Sequence, residues 1–570
     1  MKHKKSTIIF LILYTILVIA LTLTKGDLSN VISVDELGQK LGVITIMPTV
    51  LAVVLVFISK NVLFSLLMGF LLGVIIITIS YCASITQIPL IFISNAYDSI
   101  KNVVFDVGNI EIIILCLAIG GMVEIVRSSG GFDALAQKLT IRIDTPREAG
   151  IIAGLFGILI FFDDYANALI VGPIMKPIVD RVKVSREKLA YLVDSTSAPV
   201  AGIALVSSWI GVEISSIQSG LNAVGSNLDA FSLFIHSIPY SFYCIFAISF
   251  IFIGSLLDRD FGPMLNAEKR ARKGQTISEE SKESIVDETV IVKNKIEERI
   301  FVSVASTLIL ILCAIISFYT TGRSNAILAG ALSNNHSLNF ENILIAISYA
   351  DTINLISISA IISSIFALIF GCIFKLFTFK DGIFSFLKGM KNILSTVLLL
   401  LSAWCLADVI AKMGTTSFAV EIVSANVSWV LVPLLIYITC CVVSLTSGSF
   451  GTMFVVMPLA IPLAFIIISM GINIYAETYL LICVGSVIAG SIFGDHCSPV
   501  TDCTILSAIG SGCTTMEHCI TQLPYTIVSL VVSIVCGIIL TSIGVNVLLA
   551  IFIGLIVQVL ILLIIGKKPI

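Results

Sequence analysis

Charge is scarce in this chain. Asp, Glu, Lys and Arg make up 12% of its 570 residues, where soluble domains carry about 25%. That shortfall excludes an ordinary soluble protein. Sustained alternation of apolar and polar residues over short segments is missing too, which excludes a β-barrel. None of the fourteen cysteines forms a Cys-x-x-Cys pair. Eight of them lie between Cys440 and Cys536, with His496 and His518 in the same stretch. Structural zinc sites have tighter spacing, and free cysteine is an ordinary small buried residue. There is no nucleophile–base pair and no phosphate loop, so no enzyme, no cofactor and no nucleic-acid partner is expected. The net charge of −3 discriminates nothing.

What is present is apolar sequence, 57% of the chain. Runs of about 18 or more apolar residues recur, the mark of an all-α polytopic membrane protein. About twelve spans are expected, at 7–24, 43–59, 62–84, 110–126, 188–215, 231–257, 300–319, 354–378, 393–411, 477–508, 523–543 and 545–566. The start, Met1-Lys2-His3-Lys4-Lys5 before an apolar run, mimics a signal peptide. Lys25-Gly26-Asp27-Leu28 lacks a small-x-small cleavage site, so a retained helix is expected.

Two further apolar segments are interrupted. Asp163-Asp164-Tyr165-Ala166-Asn167 breaks segment 148–180, and Ser447-Gly448-Ser449-Phe450-Gly451-Thr452 breaks segment 430–470. Polar backbone at membrane depth is tolerated only where it is buried in protein or lines a cavity. Paired breaks in two halves point to a transporter's binding site. If both segments are re-entrant hairpins, all but five of the 33 Lys and Arg fall on the cytoplasmic side, together with both termini. The five are Lys25, Lys40, Lys101, Arg323 and Lys412. Full spans would put most of them outside, against the preference of Lys and Arg for cytoplasmic loops.

The two halves repeat. Pro173 and Pro177 recur as Pro458 and Pro462, Pro239-Tyr240 as Pro524-Tyr525, and Glu124 as Asp408, at offsets of 284 or 285. Pro199-Val200 recurs as Pro499-Val500 at 300. Each copy holds five spans and a hairpin, and the odd number inverts the second copy. The expected organisation is an N-terminal extra span (1–42), a first transport repeat (43–257), a cytoplasmic linker (258–299), a second repeat (300–543) and a C-terminal extra span (544–570). The linker, with nine basic and ten acidic residues and no sustained apolar period, reads as solvated.

Each repeat carries a second break in the span after its hairpin. One is Asp194-Ser195-Thr196-Ser197-Ala198-Pro199, in 188–215. The other runs from Gly494 through Asp495, His496, Ser498, Pro499 and Thr501 to Asp502, in 477–508. Proline and glycine unwind a helix and free its carbonyls. With Ser, Thr and Asn oxygens, these suit a hard cation such as Na+. All four breaks are expected to converge. A charged side chain at the bilayer centre costs roughly 2.5–3.5 kcal/mol on the insertion scale. Carboxylates there must be solvated, paired or neutralised, and one that holds a proton until a cation arrives is a basis for cation/proton exchange. Asp163, Asp164, Asn167, Asp495 and Asp502 are the candidate ligands. Asp194, Thr196, Ser197, Ser447, Ser449, Thr452, His496, Ser498 and Thr501 are the candidate pathway residues. Asp163-Asp164 aligns with Gly448-Ser449 and Asp502 with Gly202, so one composite site is expected rather than two equal ones.

At Phe161-Phe162-Asp163-Asp164-Tyr165-Ala166-Asn167 and Gly494-Asp495-His496-Cys497-Ser498-Pro499, followed by Thr501-Asp502, the sequence resembles the NhaC-type sodium/proton antiporter family, part of a wider ion transporter superfamily. The resemblance covers roughly residues 40–545. It implies Na+ and H+ as substrates, a scaffold with two hairpins, a cell-membrane location and often a homodimer. It supports Asp163, Asp164, Asn167, Asp495, Ser498 and Asp502 as site residues. Cys503 stands where threonine is usual, which removes a hydroxyl. The alternative is Na+-coupled transport of a small organic solute, such as an amino acid or a carboxylate. No Lys or Arg lies in the four breaks, the nearest being Lys176, which leans against an organic anion.

Overall fold

The computed structural model describes the chain except residues 1, 26–32, 60, 82–84, 132–133, 136–137, 139–142, 206, 283–293, 329–331, 333–349, 351, 416–427, 473, 500 and 570. The described residues form helices and no strand; one isolated bridge joins Asp260 to Lys567. Nine described helices are long and apolar enough to cross a membrane, and ten if the bent pair Ala230–Tyr240 and Phe242–Leu257 is one span. The expected spans at 7–24, 43–59 and 188–215 are not among them. The apolar part of the first is Leu11–Leu23. The second is a 3-10 turn followed by the 13-residue helix Met47–Ser59. The third is broken twice, into Arg186–Asp194, Ala198–Ala201 and Ile210–Ala223. Helix Ile88–Phe105 was not expected. Its Asn95, Asp98 and Lys101 interrupt the apolar run, while Leu90, Ile93 and Tyr97 are exposed.

The first hairpin consists of helices Pro146–Leu159 and Asp164–Arg181. A capping box starts it: Thr145 accepts from the Glu148 backbone while Glu148 accepts from the Thr145 backbone. The chain reverses at 160–163, because Asn167 Nδ2 donates to Gly157 O at 2.8 Å across the break. In a straight helix those residues would stand about 15 Å apart. In the second half, helix Val432–Ser469 is interrupted at Gly448, whose φ of 67° and ψ of −179° lie outside helical space. The second broken helix runs Ala476–Cys497, then Asp502–Ser511.

Packing between the halves is reciprocal. Helix Val62–Tyr81 lies against Phe379–Lys412, and Thr352–Ile373 lies against Val107–Ser128. Helix Ile210–Ala223 packs on Val432–Ser469, as Asp502–Ser511 packs on Asp164–Arg181. The last pair meets backbone to backbone: a Cβ on Gly172 would stand 2.5 Å from Gly510 C. Small residues permit this close approach where lipid supplies no hydrophobic drive.

The connection 258–299 is not merely solvated. Helix Gly262–Arg272 buries Met264, Ala267, Glu268 and Ala271 and packs on Arg186–Asp194 and Thr515–Val532. Glu268 Oε1 accepts from Ser185 N and Oγ at 2.8 and 2.7 Å, so it holds the N-cap of the first broken helix. Arg270 grips both oxygens of Glu187, and a buried ion pair joins Lys188 to Asp260. Its buried apolar residues are only three, Met264, Ala267 and Ala271, and Glu268 and Arg270 pair with residues 83 positions away in sequence. Neither leaves a periodic signal. The part at 283–293 lies outside the described residues.

Candidate functional site

The sequence puts short polar stretches where helices stop, and the fold aims the restarts at one cavity. Its volume is about 640 Å³. Four helix N-termini meet it: Asp164 opens Asp164–Arg181, Trp209 caps Ile210–Ala223, Gly448-Ser449 restarts the second hairpin, and Asp502 opens Asp502–Ser511. A helix N-terminus carries about half a positive charge. Two of the four are faced by their own carboxylates, Asp164 and Asp502, and the other two are not. Asp163 and Asp495 complete the carboxylates from the breaks.

The carboxylates here are engaged unevenly, Asp164 most, by Cys503, Trp209 and the backbone at 164 and 165. Asp495 Oδ2 accepts from Ser449 Oγ at 2.9 Å, Asp502 Oδ2 from Tyr165 OH at 3.3 Å, and Asp164 Oδ2 from Cys503 Sγ at 2.7 Å. A carboxylate has about four acceptor positions, so capacity remains for a cation, water or proton. The thiol of Cys503 occupies the place that the resemblance leaves in doubt. Thr501 lines the cavity and donates to Asp495 O and Ser498 O at 2.7 and 2.9 Å, pinning the break.

The expected convergence of all four breaks is only partial. Asp194, Thr196 and Ser197 do not line the cavity; the first broken helix reaches it later, through Ser208 and Trp209. The reason is that the break at 195–197 turns inward. Thr196 and Ser197 donate to carbonyls of their own helix, at Leu192 and Val193. Asp194 is fully buried in a closed cluster. His518 Nε2 is 3.0 Å and Gln522 Nε2 2.9 Å from its Oδ2, and Ser507 Oγ is 3.3 Å from its Oδ1.

His496 is held beside this cluster, Nε2 to Ser195 Oγ at 3.1 Å and Nδ1 to Tyr243 OH at 2.8 Å. Asn167 staples the first hairpin to the break, donating to Gly157 O and Thr196 O. Its Oδ1 is buried without a hydrogen-bond partner among the described residues. Ser498 ties the second break to the second hairpin through Leu445 O. Thr452 donates to Gly448 O. The side chain of Ser447 lies outside the described residues.

Sequence reasoning missed the other wall. Helix Phe379–Lys412 contributes Asn392, Ser395 and Thr396. Polar residues at i, i+3 and i+4 in an apolar helix were a readable signal of a polar face. Helix Val107–Ser128 contributes Glu124 and Arg127. Glu124, the repeat partner of Asp408, is 8% exposed, with Lys388 Nζ at 2.6 Å and Arg127 at 3.9 Å. A positive group therefore does line the cavity, although none lies in the breaks.

A family model described as the Na+/H+ antiporter family matches residues 20–204 and 200–545. An uncharacterised Haemophilus influenzae protein is 29% identical over 488 residues, covering 84% of this chain and 87% of its own length. Among solved structures, the Alcanivorax borkumensis YdaH transporter is 12% identical with a TM-score of 0.49, covering 82% of this chain and 91% of that one. Neisseria gonorrhoeae MtrF is 11% identical with a TM-score of 0.48, covering 85% and 95%.

Proposed function

We propose that this chain, which belongs to the Na+/H+ antiporter family, exchanges Na+ for protons by alternating access, with the two ions competing for Asp164, Asp495 and Asp502. Its apolar helices and its family make it a multi-pass membrane transporter. The observation that supports the finer reading is the cavity where carboxylates from both halves meet. Unneutralised charge at membrane depth is costly, so each carboxylate holds either a cation or a proton, and taking one releases the other. Asp163 shares the same wall as a further ligand. We place the transporter in the cell membrane as a homodimer, with both termini and residues 258–299 in the cytoplasm.

The test is transport in proteoliposomes that hold a pH-sensitive dye. An imposed Na+ gradient, with no organic solute present, is expected to drive protons the opposite way. A dye signal equal to that of empty liposomes rejects the exchange.

A second reading has its own support. A cavity of about 640 Å³ falls in the usual range for small-molecule pockets. Arg127 and the two helix N-termini without carboxylates suit an anionic group. Na+-coupled transport of a small organic carboxylate is that reading. It predicts Na+-dependent uptake of the solute and no proton movement under Na+ alone.

A further inference from the structure

Glu213 belongs neither to the cavity nor to the Asp194 cluster. It lies in the first turn of helix Ile210–Ala223, one turn beyond Trp209, which lines the cavity. It is 0% exposed, and neither carboxylate oxygen has a hydrogen-bond partner among the described residues. The first two turns of its helix, 210–217, are buried on every side, with Ile210, Val212, Ile214 and Ile217 also at 0%. Neighbouring Gly211 abuts Cys116 of helix Val107–Ser128, and Ser215 accepts from Trp404 of helix Phe379–Lys412. These contacts hold the turn that carries Glu213 in place without engaging its carboxylate.

A buried ion without partners is far more costly than a neutral acid. In this conformation Glu213 is therefore a carboxylic acid, a stored proton. Its helix is also placed to move. It starts at the break that reaches the cavity, and it packs on the second hairpin, with Gly220 against Met457 O and Ile461. In alternating access one repeat shifts against the other, and this contact lies between them. A shift there opens the surroundings of Glu213 to water.

We propose that Glu213 is a proton-carrying residue separate from the cavity carboxylates, releasing its proton in the opposite conformation and reloading on return. This rests on the exchange reading and adds one proton per cycle to it.

The test compares wild type with Glu213→Gln, which matches the neutral acid in shape and is compatible with the same fold. In proteoliposomes, the proton-to-Na+ ratio from the reversal potential is expected to fall by one proton, with half-saturation for Na+ unchanged. An unchanged ratio overturns the proposal. A second measurement stands apart from the exchange reading. Infrared difference spectra of wild type against Glu213→Gln, between pH 5 and 9, are expected to show one protonated-carboxyl band that responds to Na+. A missing band means that Glu213 holds no proton, and a band indifferent to Na+ and pH means that its proton never leaves; either overturns the proposal. Wild type that moves no protons under a Na+ gradient rejects exchange, and the infrared result then decides Glu213 alone.

Discussion

Two sets of carboxylates lie in the same bundle and are treated in opposite ways. Asp194 is fully buried, surrounded by His518, Gln522, Thr504 and Ser507, and does not line the cavity. Asp495 is also buried and accepts from Ser449 and Thr501, while Asp502 is exposed and accepts from Tyr165; both face open volume. The desolvation cost therefore falls on Asp194 and Asp495. In the first, fixed donors offset it. In the second the offset is incomplete, and the remainder falls to whatever enters the cavity. The contrast separates a charge that joins helices from a charge that receives cargo.

The largest expected effect breaks the comparison on the open side. Asp164→Asn and Asp502→Asn are each expected to reduce Na+-driven proton movement to the level of empty liposomes, with normal membrane insertion. Normal coupling in both variants would remove them from the ion site. On the closed side, Asp194→Ala leaves His518 and Gln522 facing an empty place, and breaking a buried polar pair costs about 3–5 kcal/mol. A lower melting temperature in detergent is expected, with transport per folded molecule retained. A variant that melts like wild type but fails to transport would move Asp194 to the other set.

The smallest effect lies outside the bundle. Burial pushes the Glu268 carboxyl up to about 7, helped by the nearby Asp260 charge and opposed by Lys188. The docked state therefore binds its proton more tightly than an undocked helix, whose carboxyl titrates near 4.5. Docking is strongest at low pH, and this contribution is lost as pH rises through about 7. The protection of amides in 262–272 against hydrogen exchange, relative to the intrinsic rate at each pH, is expected to fall between pH 5 and 8, and Glu268→Gln to flatten that dependence. Wild-type protection that stays constant over this range would show that the carboxyl does not titrate there.

Much of this architecture was legible in sequence because a membrane imposes a blunt code: apolar length gives helices, and a polar interruption must have a use. All four breaks were found that way, and those at 163–167, 447–452 and 494–502 line the cavity. The polar face at Asn392, Ser395 and Thr396 was readable too, but the code does not report that a continuous helix turns Glu124 and Arg127 to the same cavity. Nor does it separate a satisfied carboxylate from an open one. Asp194 beside Ser195-Thr196-Ser197 reads like Asp502 beside Thr501, and only the distant His518 and Gln522 distinguish them. The helix 262–272 stayed hidden because its burial depends on partners at 185–188 and 525.

The backbone at Gly448 has a consequence for descent. Its position matches Asp163 of the first half, but its φ of 67° with ψ of −179° is a conformation essentially restricted to glycine. Any side chain there would strain the turn before it could reach an ion. The second tip is thus hindered by geometry from acquiring the counterpart of Asp163, though not that of Asp164, which aligns with Ser449. Divergence in charge at position 448 is therefore hard to reverse, while position 449 stays open to it.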